Sequence, residues 1–392
     1  MQTGTVFDTG TMPVKRAAVR QPLFPFVDLK AQFAAIRTEV LTSVISVLES
    51  QHFILGREVE ALENEIADLV GCRFAIGCAS GSDALLLSLM ALGIGDGDEV
   101  ITTPFTFVAT AGSIARLHAR PVFVDIDPTT YNMDTSQLEK AITNRTRAIM
   151  PVHLFGLPTE MDSLLEIAKL HKLDVIEDAA QSIAAQYCGK GVGSLGVLGC
   201  FSFFPSKNLG GAGDGGMIAT NDHMLADRLR VLRSHGSRQK YEYEMLGINS
   251  RLDEVQAAIL RVKLCHLKSW TAARQRNAER YRALAEEHGL DRWIALPAHP
   301  RHSVHVYNQF VIRTQRRDEL RECLRQAGVP TEVYYPSPLH LQPAFAYLGY
   351  QRGDFPAAEL ASQEVVSLPI FAELTEGQQR TVLASVSEFY NQ

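Results

Sequence analysis

The feature that most constrains the fold is a regular alternation of short apolar segments with longer amphipathic ones from about residue 30 onward. The short segments are typical of strands, and they fall at 74–78, 99–103, 121–124, 148–154, 173–176, 200–204 and 216–220. Helix-like segments at 31–50, 58–69, 83–92, 108–118 and 161–171 precede or separate them. Strands that alternate with helices form parallel sheets covered on both faces. The pattern therefore predicts an α/β fold with a largely parallel sheet.

The pattern changes around Asn249. Residues 253–287 form one long or broken helical region, and strands and helices alternate more loosely after it. We therefore predict a flexible N-terminal extension at 1–25, a large domain at 26–255 and a smaller C-terminal α/β domain at 256–392. A length of 392 residues agrees with two or three domains.

Charge and composition exclude several kinds of partner. Lys and Arg total 38 against 44 Asp and Glu, a net charge of -6, so nothing attracts the chain as a whole to nucleic acid or to anionic lipid. We find no apolar run of 18 residues and expect no membrane partner. The six cysteines form no C-x-x-C pair and no zinc-finger spacing. We expect free thiols, no metal and a cytoplasmic protein, since no secretory signal is recognisable.

Polar residues follow five of the predicted strands at the point where each strand ends. In a parallel sheet these ends meet at one edge, where ligands bind. The residues are Ser80–Asp83, Thr106 with Phe107, His153 with Gly156, Asp178 with Gln181, and Ser206 with Lys207.

The turn Ser80–Asp83 opens a helix, and a helix N-terminus with free N–H groups favours a phosphate. The alternative is an ordinary N-cap by Ser82. Asp178 follows an apolar strand, where a carboxylate is costly unless it is paired. Facing a ring nitrogen it would keep that nitrogen protonated. The alternative is a structural Asp bonded to backbone amides.

Lys207 follows the aromatic run 201–206, where poor solvation lowers the pKa of an amine and frees it to react with a carbonyl group. The alternative is a surface lysine at a strand exit. Ser202 is either a phosphate ligand or a buried serine bonded to backbone. His153 is either a core histidine or a neighbour of a cofactor.

A glycine run at 210–216 contains the spacing G-x-G-x-x-G at Gly211, Gly213 and Gly216. The dinucleotide-binding fingerprint needs a helix after it. A strand-like segment follows here, so we reject dinucleotide binding and interpret the run as a flexible loop after the lysine.

Together these motifs resemble the DegT/StrS family of nucleotide-sugar aminotransferases. That family uses pyridoxal 5'-phosphate (PLP) on the aspartate-aminotransferase fold, PLP fold type I. The resemblance runs from about Phe26 to the C-terminus, through the segments 26–30, 54–56, 79–85, 103–110, 151–156, 177–181, 202–209 and 247–253.

The resemblance implies that Lys207 binds PLP covalently and then acts as base and acid in the proton shift. Asp178 would pair with the ring nitrogen, Phe107 would stack on the ring, and Gln181 would lie near the ring hydroxyl.

The other implied roles concern the phosphate of the cofactor. Gly81, Ser82 and Asp83 would hold it through backbone amides, with the hydroxyl of Ser202. Asn249 would reach the phosphate of the neighbouring subunit, which makes the site depend on a homodimer.

The implied reaction is transamination of a nucleotide-linked keto sugar, with glutamate converting PLP to its amine form, PMP. The product would be an amino sugar for a surface glycan such as lipopolysaccharide or for an antibiotic. The form of residues 249–253 favours a 3-keto acceptor, and Lys207 argues against the branch that has histidine there and runs a dehydration.

Other readings stay open. Tyr243, Asn308 and Tyr334 stand where many relatives have histidine, so a 4-keto sugar or a keto-cyclitol is the alternative acceptor. A non-catalytic PLP-binding regulatory protein is the alternative of another class. A nicotinamide-dependent oxidoreductase is supported only by the glycine run.

Overall fold

The computed structural model describes residues 21–391, so the first twenty residues of the predicted extension lie outside the described part. The strands are β1 Phe74–Cys78, β2 Glu99–Thr102, β3 Arg120–Phe123, β4 Thr146–Ile149, β5 Asp174–Asp178, β6 Gln186–Tyr187, β7 Lys190–Gly191, β8 Leu198–Ser202, β9 Gly216–Thr220, β10 Ser237–Gln239, β11 Glu242–Tyr243, β12 Ser303–Val304, β13 Phe310–Arg313 and β14 Val365–Leu368. The helices are α1 Leu29–Ser50, α2 Arg57–Val70, α3 Gly81–Ala91, α4 Val108–Arg116, α5 Leu138–Ala141, α6 Met161–His171, α7 His223–Leu232, α8 Glu254–Glu287, α9 Arg317–Gln326, α10 Pro356–Glu364 and α11 Glu376–Asn391.

A seven-stranded sheet in the order β1-β9-β8-β5-β4-β2-β3 forms the centre of the molecule. Strand β9 runs antiparallel to both of its neighbours, and the other neighbouring strands pair in parallel. Its strands are mostly buried, which explains their nearly continuous apolar sequences. The predicted α/β fold with a largely parallel sheet is confirmed.

The strand predicted at 148–154 is shorter than expected. Strand β4 ends at Ile149, and residues 154–156 form a 3-10 turn instead. Gly156 has φ +97, and a Cβ there would lie 2.9 Å from the backbone nitrogen of Asn308. The end of β4 is explained by Pro151, which has no N–H to donate to the ladder; the chain pairs with the end of β5 again at the isolated bridge between Val152 and Asp178.

Helix α8 is unbroken and takes part in two cores. Ala257, Leu260 and Leu267 in its first half pack against the large sheet, whereas Tyr281 and Leu284 pack in the C-terminal core. The change from one core to the other therefore lies within α8, whereas the predicted boundary at 255/256 falls at its start.

The C-terminal core also receives residues from the predicted N-terminal extension. Phe24 is buried in it, and the Leu23 N–H donates a 2.8 Å hydrogen bond to the Gly328 carbonyl. The end of the predicted extension is thus held by specific contacts, which the irregular sequence did not indicate.

A carboxylate from α8 caps α2, which has no capping side chain of its own. Glu254 accepts hydrogen bonds from the N–H groups of Gly56 at 2.8 Å, Glu58 at 2.9 Å and Val59 at 3.0 Å. These N–H groups would otherwise lack helical partners. The cap joins the loop before α2 to the segment around residues 249–254.

Helix α1 is unusually apolar. Among the helices of residues 21–391, it is the one long and apolar enough, by length and a mean hydropathy of 1.3, to cross a membrane. Ile36 and Val40 pack with Ile259 of α8. Five other apolar side chains of α1 are exposed, and together we call them the α1 stripe: Leu29, Phe33, Leu41, Ile45 and Leu48.

Candidate active site

Four of the five predicted groups at the strand ends lie together at the carboxyl edge of the sheet, and we call the space between them the cleft. The turn after β1, the segment after β2, the end of β5 and the loop after β8 supply them. The fifth, His153, lies close by but is buried and engaged in the core.

Asp178 is the buried carboxylate of the cleft. It is 5% exposed and ends β5, in which Val175, Ile176 and Glu177 are also buried. Its Oδ2 accepts a 2.7 Å hydrogen bond from the Thr110 hydroxyl, and its Oδ1 accepts a longer one of 3.2 Å from the Ala180 N–H. Burial raises the pKa of Asp178, and these donors together with the positive charge of Lys207 act against that rise. Oδ1 therefore keeps most of its capacity to accept another donor.

Lys207 supplies the amine of the cleft. Its backbone N–H bonds to the Phe204 carbonyl in the turn that follows β8. Burial lowers the pKa of the Lys207 amine to about 8, although the nearby Asp178 carboxylate favours the charged form. A substantial fraction of this amine is therefore neutral near physiological pH, as a nucleophile must be.

The turn before α3 forms the predicted cradle. Ser80, not Ser82, is the N-cap, and its hydroxyl accepts from the Asp83 N–H at 3.1 Å. That leaves the N–H groups of Gly81 and Ser82 for an anion, while the Asp83 side chain accepts from the Ser250 hydroxyl at 2.7 Å.

Two glycines keep this cradle open. A Cβ at Gly81 would lie 2.6 Å from the Cβ of Ser202, and one at Gly216 would lie 2.3 Å from the Ser80 carbonyl oxygen. The last glycine of the run thus packs directly against the turn. Strand β9 begins at that glycine, so a strand and no helix directly follows the run, which agrees with our rejection of a dinucleotide-binding fingerprint.

An aromatic and amide wall borders the cleft. Gln181 accepts from the Phe155 N–H at 2.6 Å and donates to the Tyr335 hydroxyl at 3.1 Å. The ring of Tyr335 lies 6.5 Å from that of Phe107, which is 55% exposed. Phe107 therefore has a free ring surface, while Tyr335 brings the C-terminal part of the chain to the site.

His153 has the structural role that the sequence left open. The Thr159 N–H donates to its Nδ1 at 3.0 Å, so its Nε2 carries the proton and donates to Glu177 at 3.0 Å. Glu177 also accepts the N–H groups of Gly193, Leu195 and Gly196. Glu177 thus holds β5 to the loop before β8, and His153 joins the Glu177 carboxylate to Thr159.

Asn249 is exposed and lies beside Ser250, whose hydroxyl contacts the cradle at Asp83.

Three residues of the site were not singled out from the sequence: Thr110, Ser250 and Tyr335. Thr110 and Ser250 lie within segments that carry the family resemblance and Tyr335 lies outside them, but for all three only the contacts distinguish the residue from its neighbours.

These residues fit PLP. The cradle offers unpaired N–H groups to a phosphate, Asp178 offers a carboxylate oxygen to a ring nitrogen, and Lys207 offers an amine to an aldehyde. Donor, acceptor and nucleophile match the three reactive parts of that cofactor.

Comparison with known proteins agrees with this geometry. The sequence matches the model of the DegT/DnrJ/EryC1/StrS aminotransferase family over residues 34–387. It is 52% identical over 366 residues to a protein of Geobacillus stearothermophilus named "Pleiotropic regulatory protein", covering 93% of this chain and 98% of the relative. It is 50% identical over 356 residues to a UDP-N-acetyl-3-dehydro-alpha-D-glucosamine 3-aminotransferase of Acidithiobacillus ferrooxidans, covering 90% and 94%.

A solved structure resembles the whole chain. The crystal structure of S. venezuelae DesV in complex with a ketimine intermediate superposes with a TM-score of 0.92 and 44% sequence identity. The match covers 95% of this chain and 100% of that one, so the two chains share their fold over that length.

Proposed function

The chain belongs to the DegT/DnrJ/EryC1/StrS aminotransferase family, and on that premise we propose that it transfers an amino group from glutamate to carbon 3 of a nucleotide-linked 3-keto sugar. The observation that carries the proposal is a single cleft that joins a phosphate cradle, the Asp178 carboxylate and an amine, Lys207, with a pKa of about 8.

The protein is a PLP-dependent aminotransferase. When bound, PLP supplies an electron sink that stabilises negative charge on the carbon next to the transferred nitrogen. The N–H groups of Gly81 and Ser82, with the Ser202 hydroxyl, would hold the phosphate. Asp178 Oδ1 would hold the proton of the ring nitrogen.

Lys207 would hold the cofactor covalently and then work as a proton carrier. Its Nζ would remove a proton from the carbon that bears the amino group of the donor amino acid. It would then return a proton to the cofactor carbon on the other side of the transferred nitrogen. In the second half-reaction the same amine would deliver a proton to the sugar carbon. A pKa of about 8 suits both directions near neutral pH.

The preference for carbon 3 is supported by the Acidithiobacillus relative, whose name specifies a 3-aminotransferase and whose chain is 50% identical to this one. We propose a uridine- or thymidine-diphosphate sugar as acceptor and a role in amino-sugar biosynthesis. A 4-keto sugar or a keto-cyclitol is the alternative acceptor.

We also propose a homodimer in which each site is completed by the partner subunit. The α1 stripe is exposed, and Phe53, Ile54 and Leu55 add apolar surface after α1. Burying such a surface is favourable, and large exposed apolar patches mark interaction sites. Asn249 is exposed beside the cradle and available to a partner. Dimerisation would cover the α1 stripe in a cytoplasmic protein.

The test is a two-step reaction followed by absorbance. Enzyme loaded with PLP is converted with glutamate, separated from it, and mixed with UDP- and dTDP-linked sugars that carry the keto group at carbon 3 or at carbon 4. We expect the visible absorbance to fall with glutamate and to return with a 3-keto sugar, with the amino sugar detected by mass spectrometry. Recovery with 4-keto sugars alone would overturn the regiochemistry.

The same test separates the enzyme from a regulatory protein, the function named for the Geobacillus relative. A non-catalytic protein would bind PLP and show no change with glutamate. The complete set of Lys207, Asp178 and Gln181 in one cleft favours the enzyme.

A further inference from the structure

A chain of two buried hydroxyl groups ends on the carboxylate of Asp178. The Thr106 and Thr110 hydroxyl oxygens lie 3.0 Å apart, and the Thr110 hydroxyl lies 2.7 Å from Asp178 Oδ2. Thr110 is 0% exposed and Thr106 is 3% exposed. Water therefore does not compete for these groups.

The hydrogen bonds in this chain have one direction while Asp178 is ionised. An ionised carboxylate only accepts, so Thr110 must donate its proton to Oδ2. The Thr110 oxygen is then an acceptor, and Thr106 donates to it. A hydroxyl that accepts one hydrogen bond donates a stronger one, so Thr106 strengthens the bond between Thr110 and Asp178.

The local structure explains why these two residues meet. Thr106 lies two residues before α4 and Thr110 lies in its first turn, and their hydroxyl groups meet across the start of the helix. Helix α4 packs on α3, β2 and β3, and the hydrogen bond from its Thr110 hydroxyl reaches Asp178 at the end of β5.

We propose that Thr106 and Thr110 are positioning residues that keep Asp178 ionised and direct its Oδ1 toward the ring nitrogen of the cofactor. This rests on the proposed function, because it assigns Asp178 to that nitrogen. The Thr110 hydroxyl occupies Oδ2, and only the 3.2 Å contact from Ala180 occupies Oδ1. The two carboxylate oxygens of Asp178 therefore differ: Oδ2 already accepts a short hydrogen bond, and Oδ1 remains able to accept one from the ring nitrogen.

Other ionisable groups also act on this carboxyl. The groups whose charges interact with it are Lys207, His153, Cys200 and Tyr335. Of these, Lys207 and a protonated His153 would favour the ionised carboxylate, and neither donates a hydrogen bond to it. Thr110 is therefore the side chain that does so directly.

The test measures the protonation state of the cofactor ring, separately from activity. Wild type and variants are loaded with PLP labelled with 15N in the ring, and the 15N chemical shift is recorded together with the Kd for PLP. We expect a protonated ring nitrogen in the wild type. In T110V we expect a shift toward the unprotonated value and a Kd for PLP raised roughly 10-fold or more, since a hydrogen bond to a charged group is lost.

Two further variants and a control define the result. T110S restores the hydroxyl and should restore the wild-type shift, while T106V should move the shift in the same direction by a smaller amount. The control is T102V, because Thr102 is equally buried and its hydroxyl bonds to the neutral Met150 carbonyl. It should leave the shift unchanged.

The outcomes distinguish this proposal from the proposed function. A T110V protein with the wild-type shift and Kd overturns the positioning role, and so does T110S behaving like T110V. If T110V does not fold, an unchanged shift in T106V excludes the two-hydroxyl chain. An unprotonated ring nitrogen in the wild type would instead refute the assignment of Asp178 in the proposed function.

Discussion

The hydroxyl of Ser250 donates a 2.7 Å hydrogen bond to the carboxylate of Asp83, 167 residues earlier in the chain. The same hydroxyl accepts from the Ala79 N–H at 3.1 Å. Ser250 therefore fixes both ends of the turn that forms the phosphate cradle. Asn249, which we propose contributes to the site of the partner subunit, is the next residue to Ser250 in the chain. The contact therefore places Asn249 directly beside the cradle of its own subunit.

Replacing Ser250 by alanine should loosen the cradle and weaken PLP binding. The loss of two hydrogen bonds, one to a charged group, should raise the Kd for PLP about 10-fold. Fluorescence titration of the apo-protein measures it. S269A is the matched control, because Ser269 lies on α8 and bonds only to the His266 carbonyl. An unchanged Kd in S250A would mean that the cradle holds its shape without this contact.

Lys207→Ala should abolish transamination while PLP still binds through the cradle and Asp178. Without the amine there is no proton carrier at the reacting carbon, and we expect a loss of roughly 10³-fold or more. Borohydride reduction followed by peptide mapping should modify residue 207 in the wild type and nothing in the variant. K268A, which removes an exposed lysine, should react normally. Near-normal turnover in K207A would refute the assignment.

The rate at which apo-protein takes up PLP should depend on pH through Lys207. Burial lowers its pKa to about 8 from the usual 10.5, so the neutral amine accumulates as pH rises past about 8. We expect the rate of covalent uptake, followed by absorbance, to rise between pH 7 and 9 and then level off.

The same shift affects stability. Between about pH 8 and 10.5 the unfolded chain binds the Lys207 proton and the folded chain does not, so the contribution of Lys207 to apo-protein stability rises with pH across that window. K207M should lack this rise in stability when unfolding by urea is measured across the same pH range.

In the uptake experiment, a rate of covalent PLP uptake that still rises steeply above pH 10 would contradict the lowered pKa of Lys207.

Asp178→Asn should leave PLP bound and slow the reaction strongly. An amide does not hold the ring nitrogen in its protonated form, so we expect a loss of about 10²–10³ in kcat, corresponding to about 3–4 kcal/mol. Stopped-flow absorbance with glutamate measures the half-reaction. D174N, at the exposed start of the same strand, is the control. Unchanged kinetics in D178N would count against the proposed role.

A charge placed on the α1 stripe should separate the proposed dimer. Ile45 is 52% exposed, and I45E would bury a carboxylate at the interface. Light scattering after size exclusion should report a dimer for the wild type and a monomer for I45E, with weaker PLP binding if Asn249 serves the partner. L170E, at an exposed apolar position on α6, should remain dimeric. A monomeric wild type would exclude the shared site.

Much of the fold follows from patterns local to the sequence. Apolar strands alternating with helices predict the parallel sheet because hydrophobic periodicity depends on neighbouring residues. The strand at 148–154 was predicted too long because its apolar sequence hides the interruption at Pro151 and the 3-10 turn at 154–156, whose Gly156 lies close to Asn308, far along the chain. Likewise, the capping of α2 by Glu254 joins residues almost 200 positions apart.

The site shows the same division. The residue types at the strand ends, with Asp178 at the end of β5 and Lys207 after β8, could be predicted because the carboxyl ends of parallel strands meet at one edge. His153 stayed ambiguous until Thr159 and Glu177 were seen to occupy both of its ring nitrogens. The sequence by itself determined which reactive groups the protein contains and at which edge of the sheet they lie. The tertiary structure alone decided which hydroxyl bonds Asp178, which serine holds the cradle and how far the pKa of Lys207 falls, because hydrogen bonding and desolvation depend on distances between distant segments.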